Sequence, residues 1–302
     1  MNTINNTSFF WLLILYAFFW VPSHAAAEAN IFYSDSSSRD ATVWWIGGDP
    51  HVGWGIDPDH YSYGRTGHGA PEQYPGQHLR KSVADVNRLG IADYAVMLGD
   101  LVADDVKYAD IFVREMDKLE TPYGWTYVLG NHDFHGPDGR AMGDPVLPVR
   151  YKARTIMGIR FIFLSTDRNG NLVGDEQKEW FWKEMEAHRG KATPIFLFTH
   201  HQHWNIGNLW SDLEEVIEDY NIAAWFSAHS HNWNILDDSG HGFVQINIHS
   251  IGGTREDYLS SFLSLEQTEK AVEATVTFRN HQSRKWIDVD GAYQLHFTVE
   301  IP

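Results

Sequence analysis

Apolar runs and amphipathic segments alternate along the chain, and this alternation predicts a mixed α/β fold. The short apolar runs have the length and the flanking turn residues typical of buried strands. They predict strands at 43–48, 94–98, 126–129, 159–164, 194–198 and 223–226. Apolar positions with helical spacing predict helices at 78–89, 109–119, 176–189 and 212–220. Asp175 is the expected N-cap of the third helix, and Ser211 with Glu214 forms a capping box for the fourth.

The pattern changes near residue 232, after which strands predominate. Four strands are predicted, at 243–248, 262–266, 271–278 and 294–301. No linker precedes them, so we expect a second sheet layer within one domain over 26–302 rather than a separate domain. Two irregular stretches, 53–76 and 135–149, are rich in glycine and proline and are expected to form functional rims or mobile segments.

The N-terminal segment has the form of a secretory signal peptide. Residues 9–21 are apolar and uncharged, and Pro22 and small residues follow them. This run is short for a membrane span, so we predict a signal peptide over 1–25. An uncleaved anchor and a buried core helix are the alternatives. With cleavage, the protein is expected to be exported to the periplasm or the medium, without stable membrane association.

Composition and charge exclude several classes of protein. Aromatic residues make up 14% of the chain, which argues against disorder. The formal net charge of −17 argues against a nucleic-acid-binding surface. There is no cysteine, so no thiolate can act as nucleophile or metal ligand. A metal site must therefore use His, Asp, Glu and Asn.

Metal-type side chains follow five of the predicted strands. Because ligand crevices in α/β sheets lie at the carboxyl ends of strands, we expect these side chains to converge. If the chain stays extended, Asp49 and His51 point to the same side. Each motif alone also has a structural explanation: Asp100 as a turn residue or N-cap, and His229 with His231 as an edge pair. The residues are Asp49, His51, Asp100, Asn131, His132, Asp133, His200, His201, His229 and His231.

In this order the motifs resemble the calcineurin-like metallophosphoesterase family. The family pattern is D-x-H, G-D, G-N-H-[DE], H and G-H-x-H, and the matches span residues 49–231. Ala228 stands where the family usually has glycine. The resemblance implies a layered α/β sandwich of two mixed β-sheets flanked by helices.

The resemblance also implies a ligand set for two divalent metal ions. One ion is assigned to Asp49, His51 and His231, the other to Asn131, His200 and His229, and Asp100 bridges them. Nitrogen and oxygen ligands suit Mn, Fe or Zn, and Mn is favoured. Ala103 occupies the position of the iron-binding tyrosine in the purple acid phosphatase branch, so a tyrosinate-bound ferric site is not expected.

The implied reaction is hydrolysis of a small phosphodiester or phosphomonoester by in-line attack of a metal-bound hydroxide. His132 is the catalytic acid or charge stabiliser, and Asp133 either orients His132 or its loop or caps a turn. The alternatives are a non-catalytic binding protein on the same fold and a membrane-anchored interaction module. Candidate contacts to the substrate are Asn131, His201, Arg65, Arg140 and Arg255.

Overall fold

The structure, a computed structural model, describes residues 41–56, 71–103, 105–134, 146–238, 241–252, 258–288 and 294–302. The predicted signal peptide (1–25) and the substrate-contact candidates Arg65, Arg140 and Arg255 lie outside these ranges. Within them, no helix is both long and apolar enough to cross a membrane.

Strands and helices alternate through the first three quarters of the described chain, and strands follow. The strands are β1 (Ala41–Gly47), β2 (Tyr94–Leu98), β3 (Trp125–Val128), β4 (Lys152–Ile156), β5 (Ile159–Phe163), β6 (Ile195–Phe198), β7 (Ile222–Ser227), β8 (Asn234–Asp238), β9 (Phe243–Asn247), β10 (Leu259–Gln267), β11 (Ala271–Asn280), β12 (Lys285–Ile287) and β13 (Gln294–Glu300). The α-helices are α1 (Gln77–Leu89), α2 (Ala109–Met116), α3 (Gly174–Glu186) and α4 (Gly207–Glu214).

These strands form two mixed sheets. The first has the order β12-β11-β10-β1-β2-β3, with β13 also paired to β11, and β1, β2 and β3 are parallel. The second has the order β4-β5-β6-β7-β9-β8, in which β5, β6, β7 and β9 are parallel. The fold implied by the resemblance, two mixed sheets flanked by helices, is therefore confirmed.

The expectation that the C-terminal strands form a layer of their own is wrong. β8 and β9 extend the second sheet, whereas β10 to β13 extend the first. β10 pairs antiparallel with β1 from Ala41 to Ile46 and so covers the edge that the parallel strands leave open. Both sheets thereby gain strands from the end of the chain.

Aromatic side chains fill the space between the two sheets. Alternate residues of a strand point to opposite faces, and Trp44 and Phe198 accordingly belong to one buried cluster while their neighbours Trp45 and Leu197 belong to the two outer clusters. Trp44 packs on Phe161 with ring centroids 4.6 Å apart. This central layer accounts for much of the high aromatic content.

Helices cover the outer face of each sheet. Apolar residues of α1 and α2 pack on the first sheet, and those of α3 and α4 pack on the second. The result is a four-layered sandwich in which the carboxyl ends of the parallel strands carry the predicted ligands.

The fourth helix differs most from its prediction. It spans Gly207–Glu214 and ends where the capping box predicts its first turn, and no side-chain cap forms. A buried apolar stripe with helical spacing begins upstream of Ser211, at Ile206 and Leu209, and continues to Leu213. Burial of this stripe decides the position of the helix, because a cap contributes only about 1 kcal/mol.

Smaller differences occur at other element ends. Val173 precedes α3 as its cap residue, and Asp175 lies inside the first turn, where a carboxylate favours the positive end of the helix dipole. α2 ends at Met116 rather than at 119. The strands β4, β8 and β12 were not predicted; β4 has only one buried residue, Ile156, so it shows no apolar run.

Candidate metal centre

The predicted ligands lie on tight loops that leave the parallel strands. Asp49, His51, Asp100, His229 and His231 have positive φ angles of 49°, 42°, 49°, 70° and 55°. They are five of the seven non-glycine residues with positive φ in the described part of the chain. Such backbone costs about 1–3 kcal/mol per residue and clusters at functional sites. The chain is therefore not extended from Asp49 to His51, so the condition under which both side chains would point to the same side is not met.

Neighbouring loops hold one another by backbone hydrogen bonds. The amides of Asp49 and His51 donate to the carbonyls of Gly99 and Asp100 at 3.1 and 3.0 Å. The carboxylate of Asp49 accepts a bond of 3.1 Å from the amide of His229, which lies in the loop after β7 of the second sheet. The loops of the two sheets are thus fixed against each other at the site.

The first group of ligand-type side chains comprises two carboxylates and two imidazoles. Its members are Asp49, His51, Asp100 and His231. Each offers one ligand atom, and these four atoms lie within 4.8 Å of one another. Nε2 of His231 is 3.0 Å from Nε2 of His51 and 3.3 Å from Oδ1 of Asp49. All four side chains are buried.

The second group is rich in imidazole. His200, His201 and His229 present ligand atoms within 4.8 Å of one another. Nδ1 of His200 lies 2.7 Å from the carbonyl oxygen of Leu98, which can only accept, so Nδ1 carries the proton. Nε2 of His200 then faces Oδ1 of Asn131 at 3.1 Å.

Asp100 lies between the two groups. Its Oδ2 is 3.7 Å from Nε2 of His51 and 3.2 Å from Nε2 of His200. Burial opposes ionisation of Asp100. The nearby histidines, of which His200 has the largest effect, favour the charged carboxylate more strongly and hold the pKa of Asp100 well below the usual range. Burial also opposes protonation of His200, yet the charge of Asp100 raises the His200 pKa to about 9. Asp100 is placed to serve both groups.

His132 and Asp133 sit beside this cluster with different contacts. His132 is 8% exposed, and its Nε2 lies 3.9 Å from Oδ2 of Asp100. The backbone amide of His132 donates to Oδ1 of Asp100 at 2.8 Å. Asp133 instead accepts bonds from the amides of Gly130 and Val102, at 2.8 and 3.1 Å. Asp133 therefore ties the loops after β2 and β3 together, because it accepts from backbone amides of both loops.

Two glycines permit the close approach of these loops. A Cβ on Gly130 would lie 2.5 Å from both Oδ1 of Asp100 and the ring of His200. A Cβ on Gly48 would lie 2.6 Å from the Cβ of Ala228. Ala228 therefore fits in place of the family glycine because its methyl group packs against the bare backbone of Gly48.

Comparison with known proteins agrees with this geometry. A sequence profile of the calcineurin-like phosphoesterase family matches residues 45–233, which is most of the described chain. The chain belongs to the calcineurin-like phosphoesterase family. A search of curated proteins gives no match.

Two solved structures share the fold of this chain. A dimetal phosphatase from Danio rerio aligns with a TM-score of 0.57 at 14% identity, over 85% of this chain and 99% of the other. A purple acid phosphatase from yellow lupin (Lupinus luteus) seeds aligns with a TM-score of 0.56 at 16% identity, over 86% of this chain and 54% of the other. At these identities the likeness concerns the fold alone.

The calcineurin-like site has donors that suit divalent ions. Oδ1 of Asp49 is buried and accepts no hydrogen bond from the described residues. Nε2 of His51 and Nε2 of His231 lie 3.0 Å apart, within hydrogen-bond distance, and so converge on the same region. An ion that accepts lone pairs from these atoms would satisfy the buried Oδ1 of Asp49. The nitrogen and oxygen donors fit borderline divalent metals and leave the identity of the metal open.

Two supporting residues were missed in the sequence. Thr166, after β5, places Oγ1 2.7 Å from Nδ1 of His201. Asn247, the last residue of β9, accepts from Gln202 at 2.8 Å and donates to Oγ of Ser230 at 2.8 Å, and it also contacts the carbonyl of Asn232. Both residues follow apolar runs at the same carboxyl edge as the ligands, which is the signal that could have found them.

Trp54 and Trp204 follow the ligand motifs closely, and they differ in exposure. Trp54 is 1% exposed, and its ring centroid is 5.7 Å from that of His51, so Trp54 packs against this ligand. Trp204 is 44% exposed and packs edge-on against His203. Of these two rings, the one that is exposed and could stack on a planar group is that of Trp204.

Proposed function

We propose that this protein hydrolyses a small phosphodiester or phosphomonoester with two divalent metal ions. The observation that carries the proposal is the convergence of two ligand groups on a shared carboxylate, Asp100. Family membership supports it, and so does the likeness to a protein described as a dimetal phosphatase. Paired ions of this kind polarise a phosphoryl group and lower the pKa of a water molecule.

Each group of ligands is assigned to one of the two ions. Asp49, His51 and His231 are assigned to one ion, and Asp100 is shared. Asn131, His200 and His229 are assigned to the other ion. Leu98 fixes the tautomer of His200, as an oxygen behind a ligating histidine commonly does.

His132 is assigned to the substrate rather than to an ion. Its ring stands edge-on to the ligand His51 with centroids 4.8 Å apart, yet it belongs to neither ligand group. From this position it can donate a proton to the leaving oxygen or stabilise charge on the phosphoryl oxygens. Asp133 acts through the loop that carries His132.

The test uses purified protein, stripped of metal and reconstituted with Mn²⁺, Fe²⁺ or Zn²⁺. We expect hydrolysis of bis(p-nitrophenyl) phosphate or p-nitrophenyl phosphate only after reconstitution. Asp100→Ala should lose at least one ion and all turnover. Full loading with two ions and no turnover on any phosphoester in a broad screen would overturn the proposal.

His132→Ala separates binding from chemistry. It should keep two ions per chain while kcat falls by about 10²–10⁴, the range for loss of one acid–base group. A general acid predicts a smaller loss with a nitrophenolate leaving group than with an alkyl ester; equal losses indicate charge stabilisation. Loss of metal from His132→Ala would show instead that His132 is a ligand.

We also propose that the protein is exported. Support comes from the uncharged apolar run at 9–21 and the small residues after it. N-terminal sequencing of protein recovered from the periplasm or medium should find a start near residue 26. Recovery of intact Met1 would contradict export by cleavage.

A further inference from the structure

His201 lies as close to the second ligand group as its assigned members do. Its ring centroid is 4.9 Å from that of His200 and 4.3 Å from that of His229. The centroids of His51 and His231, which are assigned to one ion, are 5.0 Å apart. The spacing of His201 is therefore like that of the two rings assigned to the first ion.

A buried hydroxyl orients the His201 ring. Nδ1 is 2.7 Å from Oγ1 of Thr166, and both residues are buried. The amide of Thr166 donates to the carbonyl of Leu129 at 3.0 Å, so the hydroxyl sits on a fixed backbone. A histidine that binds a metal through one nitrogen commonly uses the other in such a bond.

We propose that His201 is a further ligand of the second ion, through Nε2, with Thr166 as its positioning residue. This inference rests on the proposed two-metal function. The second ion is then held by three imidazoles and the amide oxygen of Asn131, and it shares Asp100 with the first.

The proposal makes the two ion positions chemically unequal. The first group offers carboxylates from Asp49 and Asp100 with two imidazoles, and the second is dominated by imidazole. Oxygen-rich sites suit Mn²⁺, whereas imidazole suits Zn²⁺. We therefore expect Zn²⁺ to fill the second position first when both metals are supplied.

The experiment measures metal binding, not activity. Wild type, His201→Gln and His203→Gln are stripped, titrated with Zn²⁺ by calorimetry, and counted for bound zinc. His203 is a matched control, because it is a buried histidine of the same loop whose Nδ1 contacts Gln245 at 2.9 Å and which belongs to neither ligand group. We expect His201→Gln to weaken one of two binding events by at least about tenfold, while His203→Gln keeps both.

Thr166→Val tests the positioning role without removing the ligand. Loss of an outer partner typically lowers metal affinity by about 10–100-fold, so a similar weakening is expected here. A crystal structure of the zinc form should place Nε2 of His201 about 2.0–2.1 Å from an ion.

Three results distinguish this inference from the proposed function. Wild-type zinc affinity in His201→Gln, or a distance beyond 3 Å to both ions, would overturn the role of His201. If that variant instead raises KM with both ions retained, His201 contacts the substrate and the ligand assignment is wrong. If the wild type itself binds fewer than two ions, the proposed two-metal function fails.

Discussion

A buried ionic network outside the metal centre ties α1 to the first sheet. Asp85 accepts from Nε and Nη2 of Arg279, at 2.7 and 3.1 Å, and lies 3.1 Å from Nδ1 of His281. Nε2 of His281 is 2.6 Å from Oγ of Ser260. The connectivity is that of a Ser-His-Asp hydrolase triad, but Ser260 is fully buried and its oxygen accepts from Trp45 Nε1 at 2.8 Å. The network is therefore structural.

The informative perturbation is Asp85→Asn, which keeps the shape and removes the charge. Arg279 is 2% exposed and would be left without a counter-charge. Breaking a buried ion pair costs about 3–5 kcal/mol, and we expect the lower end because the amide oxygen still accepts one bond. Arg88 also contacts Asp85, but its side chain is 48% exposed, so Arg88→Ala should cost less than about 1 kcal/mol.

The loss of unfolding free energy in Asp85→Asn should be smaller at acid pH. Burial raises the pKa of Asp85, but hydrogen bonds from His281, Arg279 and Arg88 outweigh burial and hold it well below the usual range. A carboxyl whose pKa is depressed by folding stabilises the protein above its unfolded pKa of about 4, and this stabilisation is lost below it. The difference between wild type and Asp85→Asn should be constant from about pH 5 to 8 and should shrink below about pH 4.

Urea unfolding of the metal-free proteins measures this difference without interference from bound ions. Asp85→Leu with Arg279→Met is the matched double variant, since replacing both charges by apolar groups commonly recovers stability. A cost below about 1 kcal/mol for Asp85→Asn, or a cost that does not shrink at acid pH, would refute the reasoning. Metal content and turnover should stay unchanged when the variant is folded.

Three further predictions concern the site. Gly130→Ala should lose metal, because the new Cβ would lie 2.5 Å from Asp100 Oδ1 and from the His200 ring; wild-type metal content would contradict this. Asn247→Asp should weaken metal binding at His229 by about 10–100-fold, because it removes the amide donor that holds the loop; its zinc affinity is the measurement. With the His200 pKa raised to about 9, metal binding at pH 7 should release about one proton, seen as buffer-dependent enthalpy; binding that releases no proton would show that the ring is already neutral.

The sequence located most elements because buried strands are short, apolar and bounded by turns. β2 has the predicted limits, Tyr94–Leu98. α4 was misplaced because a local capping signal at Ser211 competes with a burial pattern that only the packed sheet makes decisive. The edge strand β4 was missed because its polar residues show no apolar run.

The identity of the ligands was easier to predict than their geometry. The order of motifs named Asp100 and His200, but no pattern in the sequence reports that Asp100 has a φ of 49°. The pairing of Thr166 with His201 joins loops 35 residues apart, and it depends on β5 and β6 being parallel neighbours. Contacts of this kind depend on which strands are neighbours in the sheet. The apolar pattern of one strand does not indicate its neighbours.

The charge of the protein and the charge of its site act in opposite directions. The chain as a whole carries a formal charge of −17, which repels polyanions at long range. At the site, the carboxylates of Asp49 and Asp100 face neutral donors, so two bound divalent ions would leave a local charge of about +2. Screening confines that local field to about 8–10 Å at physiological salt. A long nucleic acid would meet the acidic surface first, whereas a small phosphate ester fits wholly within reach of the ions, and this difference favours the small substrate that we propose.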